Sequence, residues 1–366
     1  MVEWKKLGDI ANCYAGATPS TKVASYWENG MIPWMSSGEV HQGIVTHTAS
    51  YITQLGYDNS STKMLPKGTI VIALAGQGKT RGCVAITDIE LCTNQSLCGI
   101  VLCNSEIINK YVYYFLRTRY NHLRKISSGE GTRGGLNLKM ISEYEIPIPS
   151  LSEQQQIVEQ LDTFTSSIEN LKEQIAQRRK QYEYYRDQLL DLEGKEGVEM
   201  KTLGEIIQVK KGEYITRKEA KEGIYPVILG GKEPAYYIDK YNHTGKAIVI
   251  SRSGASAGYV SFWNEPIFVT DGFLIEPKDN ATIEFLYYLL KSKQIQLHGS
   301  QKGGAIPHVT PTLIGAITVA LPSLSEQQRI VSILDTFEAS VANLEQQLAL
   351  REKQYEYYRN KLLTFE

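Results

Sequence analysis

The chain has 366 residues, of which 42% are hydrophobic and 22% are charged, and its formal net charge is −1. These values are typical of soluble globular proteins with buried cores, and the length allows two domains. The longest apolar run, residues 70–75, is too short to span a bilayer, and no apolar segment follows the N-terminal lysines. We therefore expect a cytoplasmic protein that has no secretory signal and contacts no membrane.

All cysteines lie in the first third of the chain, and they are Cys13, Cys83, Cys92, Cys98 and Cys103. An odd number confined to one region does not indicate a disulfide framework. A metal site is the alternative, but the cysteines include no C-x-x-C pair of the usual zinc spacing. We expect free cysteines buried in strands and no bound metal.

A long internal repeat divides the chain. Residues 149–190 recur as residues 322–363, with 28 identities over the 42 aligned positions. Weaker matches lie upstream, where Gly16 aligns with Gly212 and Gly78 aligns with Gly254. Such self-similarity indicates one structural unit present twice. We expect a first globular domain (1–148), a first helix (149–198), a second globular domain (199–320) and a second helix (321–366).

Charge is unevenly divided among these segments. Lys and Arg exceed Asp and Glu by 3 and 2 in the two globular domains, whereas the helical segments carry net charges of −4 and −2. A nearly neutral chain can therefore still present a phosphate-binding face on each globular domain.

The repeated segments are predicted to be long helices with one apolar stripe. Ser152 with Gln155, and Ser325 with Gln328, have the capping-box spacing. About 39 residues would form a rod of roughly 58 Å. The apolar positions of the first copy alternate steps of four and three, as in a heptad repeat. They are Ile157, Leu161, Phe164, Ile168, Leu171, Ile175, Tyr182, Tyr185 and Leu189.

One helix cannot bury a narrow stripe alone. We expect the two copies to form an intramolecular antiparallel coiled coil, and a generic coiled-coil dimer is the alternative. Arg178 and Arg351 occupy stripe positions. Their aliphatic stems can lie along the stripe while the charged heads stay in water. A register-setting role or a contact with a partner protein is the other interpretation.

Both globular domains are predicted to be rich in strands, so the fold class is α+β. The runs 68–73 and 245–250 begin with glycine and continue with β-branched residues. Glycine lets a backbone approach a partner closely, and Arg, Lys, Gln, Asn and Ser contact bases and phosphates. Ordinary solvated turns are the alternative for any single loop. Glycine-rich polar loops recur at matching places in both domains, at residues 75–82, 127–135, 252–258 and 299–304.

The chain carries no recognisable catalytic motif. Ala73 with Gly78-Lys79-Thr80 resembles a relaxed phosphate-binding loop, but residues 81–86 read as a strand where such a loop requires a helix. No two prolines are adjacent and no Pro-Asp dipeptide occurs, so the usual methyltransferase and nuclease motifs are missing. We expect no catalytic residues and no cofactor.

Three features together resemble the specificity subunit of a type I restriction–modification system, over essentially the whole chain. Each half opens with Leu-Gly-Asp/Glu-Ile, each closes on a proline-containing strand that runs into Ser-Leu-Ser-Glu-Gln-Gln, and each long helix ends in Tyr-Arg-x-x-Leu-Leu. The resemblance implies two target recognition domains related by a pseudo-two-fold axis. Each would read half of a split, asymmetric sequence in double-stranded DNA, while the paired helices fix the unread spacer.

The resemblance also implies partners. Methyltransferase subunits, two of them, would bind this chain, and restriction subunits would join through the complex. Methylation and ATP-driven cleavage would belong to those subunits, so S-adenosylmethionine, ATP and Mg²⁺ would not bind here. The residues expected to dock the methyltransferase lie near the helix ends and are Tyr182, Tyr185, Arg186, Tyr355, Tyr358 and Arg359.

Matching positions in the glycine-rich loops give the expected DNA contacts. Those of the first domain are Gln77, Lys79, Thr80, Arg81 and Arg133, with Asn94 and Gln95 as further candidates. Those of the second domain are Arg252, Ser253, Ser256, Gln301 and Lys302, with Asp271 and His308 as further candidates. The loops differ between the domains, which favours an asymmetric target. A coiled-coil scaffold that reads no DNA sequence is the alternative function.

Overall fold

A computed structural model describes residues 2–76, 80–127, 135–218, 220–231, 233–278, 280–299 and 308–365. The chain separates into two compact units. Unit 1 comprises Met1–Asn170 and Leu348–Glu366, and unit 2 comprises Leu171–Gln347. Both units combine helices with sheets, so the predicted α+β class is confirmed.

The helices and strands of unit 1 alternate along the chain. They are β1 (Glu3–Lys6), α1 (Leu7–Ile10), β2 (Ala11–Ala15), β3 (Ile32–Met35), β4 (Ile44–Val45), β5 (Ser50–Ile52), α2 (Gln54–Asp58), β6 (Ile70–Ala73), β7 (Val84–Thr87), β8 (Cys92–Thr93), β9 (Leu97–Leu102), α3 (Asn109–Thr118), α4 (Tyr120–Ile126), α5 (Leu138–Ser142), β10 (Glu145–Ile148) and the long helix α6 (Leu151–Leu190), which continues into unit 2.

The main sheet of unit 1 has the strand order β2-β9-β6-β7-β4, and a smaller sheet has the order β5-β3-β8. Every residue of β6 is buried, as expected for a central strand of Ile and Val that is covered on both faces. β6 runs antiparallel to β7 and β9. α3 packs against this sheet through buried Tyr111, Val112 and Phe115. β1 pairs with β10, which places the first strand beside the strand that leads into α6.

In its described residues unit 2 lacks counterparts of β4 and α2 but otherwise repeats this order of elements. They are β11 (Glu199–Thr202), α7 (Leu203–Ile206), β12 (Ile207–Lys211), β13 (Tyr225–Ile228), β14 (Tyr236–Ile238), β15 (Lys246–Ser251), β16 (Val260–Asn264), β17 (Phe268–Val269), β18 (Gly272–Pro277), α8 (Ile283–Ser292), α9 (Gln294–Gly299), α10 (Pro311–Gly315), β19 (Thr318–Leu321) and the long helix α11 (Leu324–Leu362), which ends in unit 1.

The sheets of unit 2 resemble those of unit 1, except that no described strand of unit 2 takes the place of the edge strand β4. The main sheet has the order β12-β18-β15-β16, the smaller one β14-β13-β17, and β11 pairs with β19 as β1 pairs with β10. β15 is buried from Ala247 to Ser251. The glycine-led β-type runs at 68–73 and 245–250 therefore form the central strands β6 and β15, as predicted.

Gly16 and Gly212 occupy the same close approach in the two units. A Cβ on Gly16 would lie 2.1 Å from the Thr93 carbonyl oxygen, and one on Gly212 would lie 2.4 Å from the Thr270 carbonyl oxygen. Real Cβ atoms do not come that close to a backbone oxygen, so both positions require glycine. The recurrence of glycine here has a steric cause.

The long helices begin differently from the expectation. The Ser150 hydroxyl accepts the Glu153 N–H at 3.3 Å, and the Ser323 hydroxyl accepts the Glu326 N–H at 3.4 Å. The capping serines are therefore Ser150 and Ser323, and the prediction of Ser152 and Ser325 is wrong. Both pairs of serines have an acidic or amide residue three positions later, but the helices already include residues 151 and 324.

A buried glutamine joins each long helix to the globular part of its unit. Gln154 is 1% exposed, accepts the Ile108 N–H at 2.9 Å, and donates to the Glu106 and Pro149 carbonyls at 3.2 and 3.0 Å. Gln327 is fully buried, accepts the Thr282 N–H at 2.9 Å, and donates to the Asn280 and Pro322 carbonyls at 2.7 and 3.0 Å. The repeated Ser-Leu-Ser-Glu-Gln-Gln segment thus encodes a structural joint.

A tyrosine–aspartate hydrogen bond makes the second joint. Tyr114 donates to Asp162 at 2.6 Å in unit 1, and Tyr288 donates to Asp335 at 2.6 Å in unit 2. Burial raises the pKa of both phenols well above its ordinary value, so both remain protonated donors at physiological pH.

Each unit also contains the end of one long helix and the start of the other. In unit 1, Ile157 and Leu161 of α6 share a buried cluster with Leu363, just after α11. In unit 2, Ile330 and Leu334 of α11 are buried in a cluster against which Tyr182, Leu189 and Leu190 of α6 pack. The contacts of unit 2 run antiparallel, since Arg179, Tyr182 and Tyr185 meet Glu345, Glu338 and Phe337 respectively.

The cysteines are free, and Cys92 and Cys98 are buried in strands as predicted. The expectation of burial in strands is wrong for Cys103, which is exposed just after β9, and for Cys83, which is half-buried just before β7. Cys13 lies in β2 but is only half-buried. Among the described residues, no three His, Cys, Asp or Glu side chains are grouped to hold a metal ion. In that same part of the chain, none of the helices has the length and apolarity needed to cross a bilayer.

Candidate nucleic-acid interface

The loop that follows β15 in unit 2 holds Arg252 by its backbone. Its carbonyl accepts the Val309 N–H at 2.9 Å, and its own N–H donates to the Asp271 carbonyl at 3.3 Å. The side chain also points toward Asp271, with 3.8 Å between Arg252 Nη1 and Asp271 Oδ1. The Arg252 and Asp271 side chains are 39% and 36% exposed. The Arg252 backbone is therefore fixed, while its side chain remains partly accessible to solvent.

Two further predicted residues lie beside this pair. The Ser253 hydroxyl donates to Asp271 Oδ2, and the Ser253 backbone forms a bridge with His308, whose side chain is exposed. The structure therefore brings together Arg252, Ser253, Asp271 and His308, a group that we call the Arg252 cluster. Ser256 is exposed in the short turn Gly254–Ser256 of the same hairpin. Gln301 and Lys302 lie outside the described residues.

The corresponding hairpin of unit 1, between β6 and β7, places its predicted residues differently. Thr80 is half-buried, with its hydroxyl over the backbone of Gly76. Arg81 is only 6% exposed, which leaves little of its side chain for a DNA contact in this arrangement. β7 follows, and no helix begins in the described residues 80–83, as expected for a hairpin that is not a phosphate-binding loop. Gln77, Lys79 and Arg133 lie outside the described residues.

Asn94 and Gln95 form a turn next to this hairpin. The Asn94 side chain accepts the Ser96 N–H at 3.1 Å, and the Asn94 N–H donates to the Met35 carbonyl at 3.0 Å. Gln95 is exposed and accepts a hydrogen bond from the Thr18 hydroxyl. Asn94 therefore shapes the turn, while Gln95 is the side chain that reaches solvent.

The two hairpins have equivalent backbones at their ends. The Gly82 N–H donates to the Ala73 carbonyl as the Gly258 N–H donates to Ser251, each at 2.9 Å. Between these anchors the unit 1 hairpin has two more residues. The Cys83 N–H donates to the Thr80 carbonyl at 2.8 Å as the Tyr259 N–H donates to the Ser256 carbonyl at 2.9 Å, so the second ends of the hairpins also correspond. Gly78, which the sequence aligns with Gly254, lies outside the described residues.

We call these shared main-chain hydrogen bonds the backbone frame. They show which residues of the two hairpins correspond. The Leu74 carbonyl accepts the Leu136 N–H at 2.8 Å, as Arg252 accepts Val309, and the Leu74 N–H donates to Ser96 at 2.8 Å, as Arg252 donates to Asp271. Leu74 and Ser96 therefore stand where unit 2 has Arg252 and Asp271. The alignment of Gly78 with Gly254 would instead place Leu74 against Ile250, because the unit 1 hairpin has two more residues between its ends.

The predicted docking residues near the helix ends are partly used within their own units. Tyr182 donates to Glu338 at 3.2 Å, and the Arg186 guanidinium lies 5.8 Å from the centre of the Tyr182 ring. Tyr185 stacks on Phe337 with 5.4 Å between ring centres. Burial, followed by the charge of Glu338, raises the pKa of Tyr182, and burial also raises the pKa of Glu338.

Unit 1 contains the matching aromatic contacts. Tyr358 stacks on Phe164 with 5.3 Å between ring centres, and the Arg359 guanidinium lies 5.5 Å from the centre of the Tyr355 ring. The Arg351 guanidinium lies 5.7 Å from the Phe164 ring centre, so this stripe arginine packs on an aromatic face. The Phe and Tyr of the repeat thus meet across helices.

Two exposed tyrosines at equivalent positions were missed by the sequence reasoning. Tyr184 is 59% exposed and Tyr357 is 61% exposed. Each packs edge-on against the next tyrosine, Tyr185 at 5.4 Å and Tyr358 at 5.2 Å between ring centres. The Tyr-Glu-Tyr-Tyr repeat was the available signal, but the heptad stripe drew attention to the inward-facing tyrosines. Exposed aromatic pairs are typical of protein-binding surfaces.

Sequence comparison finds one family over both halves of the chain. The model of the type I restriction modification DNA specificity domain matches residues 1–178 and 195–351. The specificity subunit of the Escherichia coli EcoR124I/EcoR124II restriction enzyme is 37% identical over 194 residues, which are 51% of this chain and 48% of that protein. A putative specificity subunit of Haemophilus influenzae is 28% identical over 392 residues, covering 100% of this chain and 96% of that one.

Solved structures show the same fold. The S subunit of a type I restriction–modification system from M. genitalium superposes with a TM-score of 0.68 at 22% identity, covering 100% of this chain and 97% of that chain. The HsdS subunit from Thermoanaerobacter tengcongensis gives 0.53 at 18% identity, with 99% and 96% covered. Because the family model spans both halves and a relative aligns with the whole chain, this chain belongs to the family of type I restriction–modification specificity subunits.

Proposed function

We propose that this chain reads a bipartite, asymmetric sequence in double-stranded DNA, with one half-site for each globular domain (1–148 and 199–320). The observation that carries the proposal is the pair of hairpins with one backbone frame and different side chains. A reader duplicated for two half-sites needs a constant frame to present its side chains and variable side chains to select bases.

The side chains around the frame support direct contact with DNA. Unit 2 presents Arg252, Ser256 and His308 beside an accessible acidic partner, Asp271. Unit 1 presents the half-buried Thr80 and the exposed Gln95. Lys79 and Arg133, which we also propose as contacts, lie outside the described residues. Donors and acceptors of this kind read base edges, and cations bind phosphates.

The long helices would set the spacing between half-sites. In this proposal α6 and α11 lie antiparallel as one coiled coil, with a pseudo-two-fold axis relating the two halves. Their 40 and 39 residues correspond to roughly 60 Å each at 1.5 Å per residue. Half-sites one helical turn apart are separated by ~34 Å, a distance that rods of this length can bridge.

The chain would act as an adaptor that performs no chemistry. Methyltransferase subunits, two in number, would dock through the exposed pairs Tyr184–Tyr185 and Tyr357–Tyr358, and restriction subunits would join through the complex. S-adenosylmethionine, ATP and Mg²⁺ would be held by those partners.

The test is selection of duplexes from a randomised DNA library by the chain together with its methyltransferase partner. We expect two short conserved blocks of different sequence, separated by a fixed unselected spacer, with binding that weakens steeply as salt rises. A single block, a variable spacer or no selection would contradict the proposal. Salt-sensitive binding without sequence preference would favour the scaffold alternative.

A further inference from the structure

Arg252 is held so that its position does not depend on its side chain. Both backbone hydrogen-bonding groups are used, by Val309 at 2.9 Å and by Asp271 at 3.3 Å. The Cα atom is thereby fixed relative to β15 and to the start of β18. A base-reading side chain needs such a rigid base, because a shift of about 1 Å is enough to spoil a site.

The guanidinium has an orienting partner and retains its donors. Asp271 Oδ1 lies 3.8 Å from Arg252 Nη1, close enough for charge attraction and too far for a hydrogen bond. No described residue accepts a hydrogen bond from this guanidinium. Asp271 is itself fixed, because Oδ2 accepts the Ser253 hydroxyl. Asp271 therefore orients the Arg252 guanidinium while leaving its N–H groups able to donate to a base.

We propose that Arg252 recognises a guanine in the half-site read by unit 2, and that Asp271 is the positioning residue that orients it. The inference rests on the proposed function and adds a base identity to it. Guanine presents O6 and N7 in the major groove, and the arginine fork matches this pair of acceptors. Lysine, a point donor on a flexible stem, does not reproduce that geometry.

Two other roles for Arg252 and Asp271 would require different arrangements of their side chains. A phosphate contact needs positive charge without orientation, and a fixed carboxylate beside it would repel the phosphate. Asp271 could instead accept a hydrogen bond from cytosine N4, but one of its oxygens is already bonded to Ser253 and the other faces Arg252. The arrangement of the pair therefore favours arginine as the reader.

Unit 1 has no arginine at the position that corresponds to Arg252. At the equivalent backbone positions it has Leu74, which is 7% exposed, and Ser96. We therefore expect no guanine preference from this position in the half-site that unit 1 reads. That half-site serves as an internal control for every variant of Arg252 and Asp271.

The experiment compares library selection by complexes of the methyltransferase partner with wild-type chain, Arg252→Ala, Arg252→Lys and Asp271→Asn. Arg252→Ala should lose about tenfold or more of the preference for one guanine, leaving all other positions unchanged. Arg252→Lys should restore only a small part of it. Asp271→Asn keeps the volume and an acceptor for Ser253, and it should weaken the preference for the same guanine.

Lys210→Ala is the matched control, because it removes another half-exposed cation from an ion pair of unit 2, that with Glu276 at 2.7 Å. It should leave every base preference intact. A uniform loss of affinity in Arg252→Ala with unchanged base preferences would overturn the inference in favour of a phosphate contact. A change at a different base pair in Asp271→Asn would overturn the positioning role. A wild-type complex that selects no sequence would instead contradict the proposed function.

Discussion

The hairpin between β6 and β7 and the hairpin between β15 and β16 share main-chain hydrogen bonds but not surfaces. Leu74 and Arg252 make the same two backbone contacts, yet one side chain is 7% exposed and the other 39%. Because main-chain bonds define the frame, side chains within it can change without loss of the fold. A duplicated domain can thereby acquire a second specificity.

The joints to the long helices show the opposite behaviour. Gln154 and Gln327 make equivalent sets of hydrogen bonds, and the Tyr114–Asp162 and Tyr288–Asp335 pairs have equal lengths of 2.6 Å. Their side chains themselves make the contacts, so they are identical in both halves. Identity follows where side chains hold the structure, and divergence follows where the backbone does.

The largest expected effect is at such a joint. Gln327→Ala leaves the Thr282 N–H and the Asn280 and Pro322 carbonyls without their partner, and should reduce the free energy of unfolding by about 3–5 kcal/mol. Urea denaturation followed by circular dichroism measures this change. The adjacent exposed Gln328→Ala is the matched control and should stay within about 0.5 kcal/mol of wild type. Equal effects of the two variants would contradict the joint.

A smaller effect is expected from placing an arginine, the residue of unit 2, at the equivalent position of unit 1. Leu74→Arg introduces a charge at a buried position and should destabilise the protein by about 2–3 kcal/mol, because the aspartate partner is absent there. Thermal unfolding of Leu74→Arg and of Leu74→Met, which preserves the volume, would separate charge from size. A stable Leu74→Arg variant would show that the frame itself does not restrict the side chain.

Glu338 gives a pH-dependent test of the helix contacts. Its pKa is raised by burial, so its stabilising contribution is present below the unfolded pKa of about 4.3 and is lost as pH rises through the folded value. Glu338→Gln should therefore raise the stability at pH 7 by no more than about 1 kcal/mol, since the carboxyl is partly solvated. The gain should disappear below about pH 4.

Thermal unfolding over a pH series measures this difference. Glu345→Gln is the control, because that carboxylate pairs with Arg179 at the surface, and the substitution should give no gain at pH 7. A gain for Glu338→Gln that is the same at every pH would contradict the role of the buried charge.

The smallest effect is expected at Arg252 itself. Its ion pair with Asp271 is long and half-exposed, and pairs of this kind contribute about 0.2–1 kcal/mol. Arg252→Leu should therefore unfold within about 0.5 kcal/mol of wild type, as measured by urea denaturation. A large loss of stability would show that the side chain supports the hairpin rather than reads a base.

The sequence was sufficient where a periodic or steric rule applies. The heptad stripe predicted α6 and α11, and the alignment of Gly16 with Gly212 reflects a steric requirement that both units share. It was insufficient where two local patterns compete. Ser150 and Ser152 both have a suitable residue three positions later, and only the folded chain shows that Ser150 is the cap.

The sequence also could not predict which side chains of the loops are buried. Arg81 lies in a glycine-rich polar loop and is therefore predicted as a DNA contact, but packing buries it to 6% exposure. Arg252 looked similar in sequence and is accessible. Arg81 comes just before the anchoring Gly82 as Ala257 comes just before Gly258, and both are buried. Arg252, in contrast, directly follows β15 at the other end of its hairpin.

Duplication of the first reader tests the central claim most directly. In a chain whose residues 199–320 are replaced by a second copy of residues 1–148, both readers are identical, and the similar helix joints should accept the exchange. Library selection by its complex with the methyltransferase should then give an inverted repeat of the half-site of unit 1. Recovery of the original asymmetric sequence would contradict an account in which each domain reads its own half.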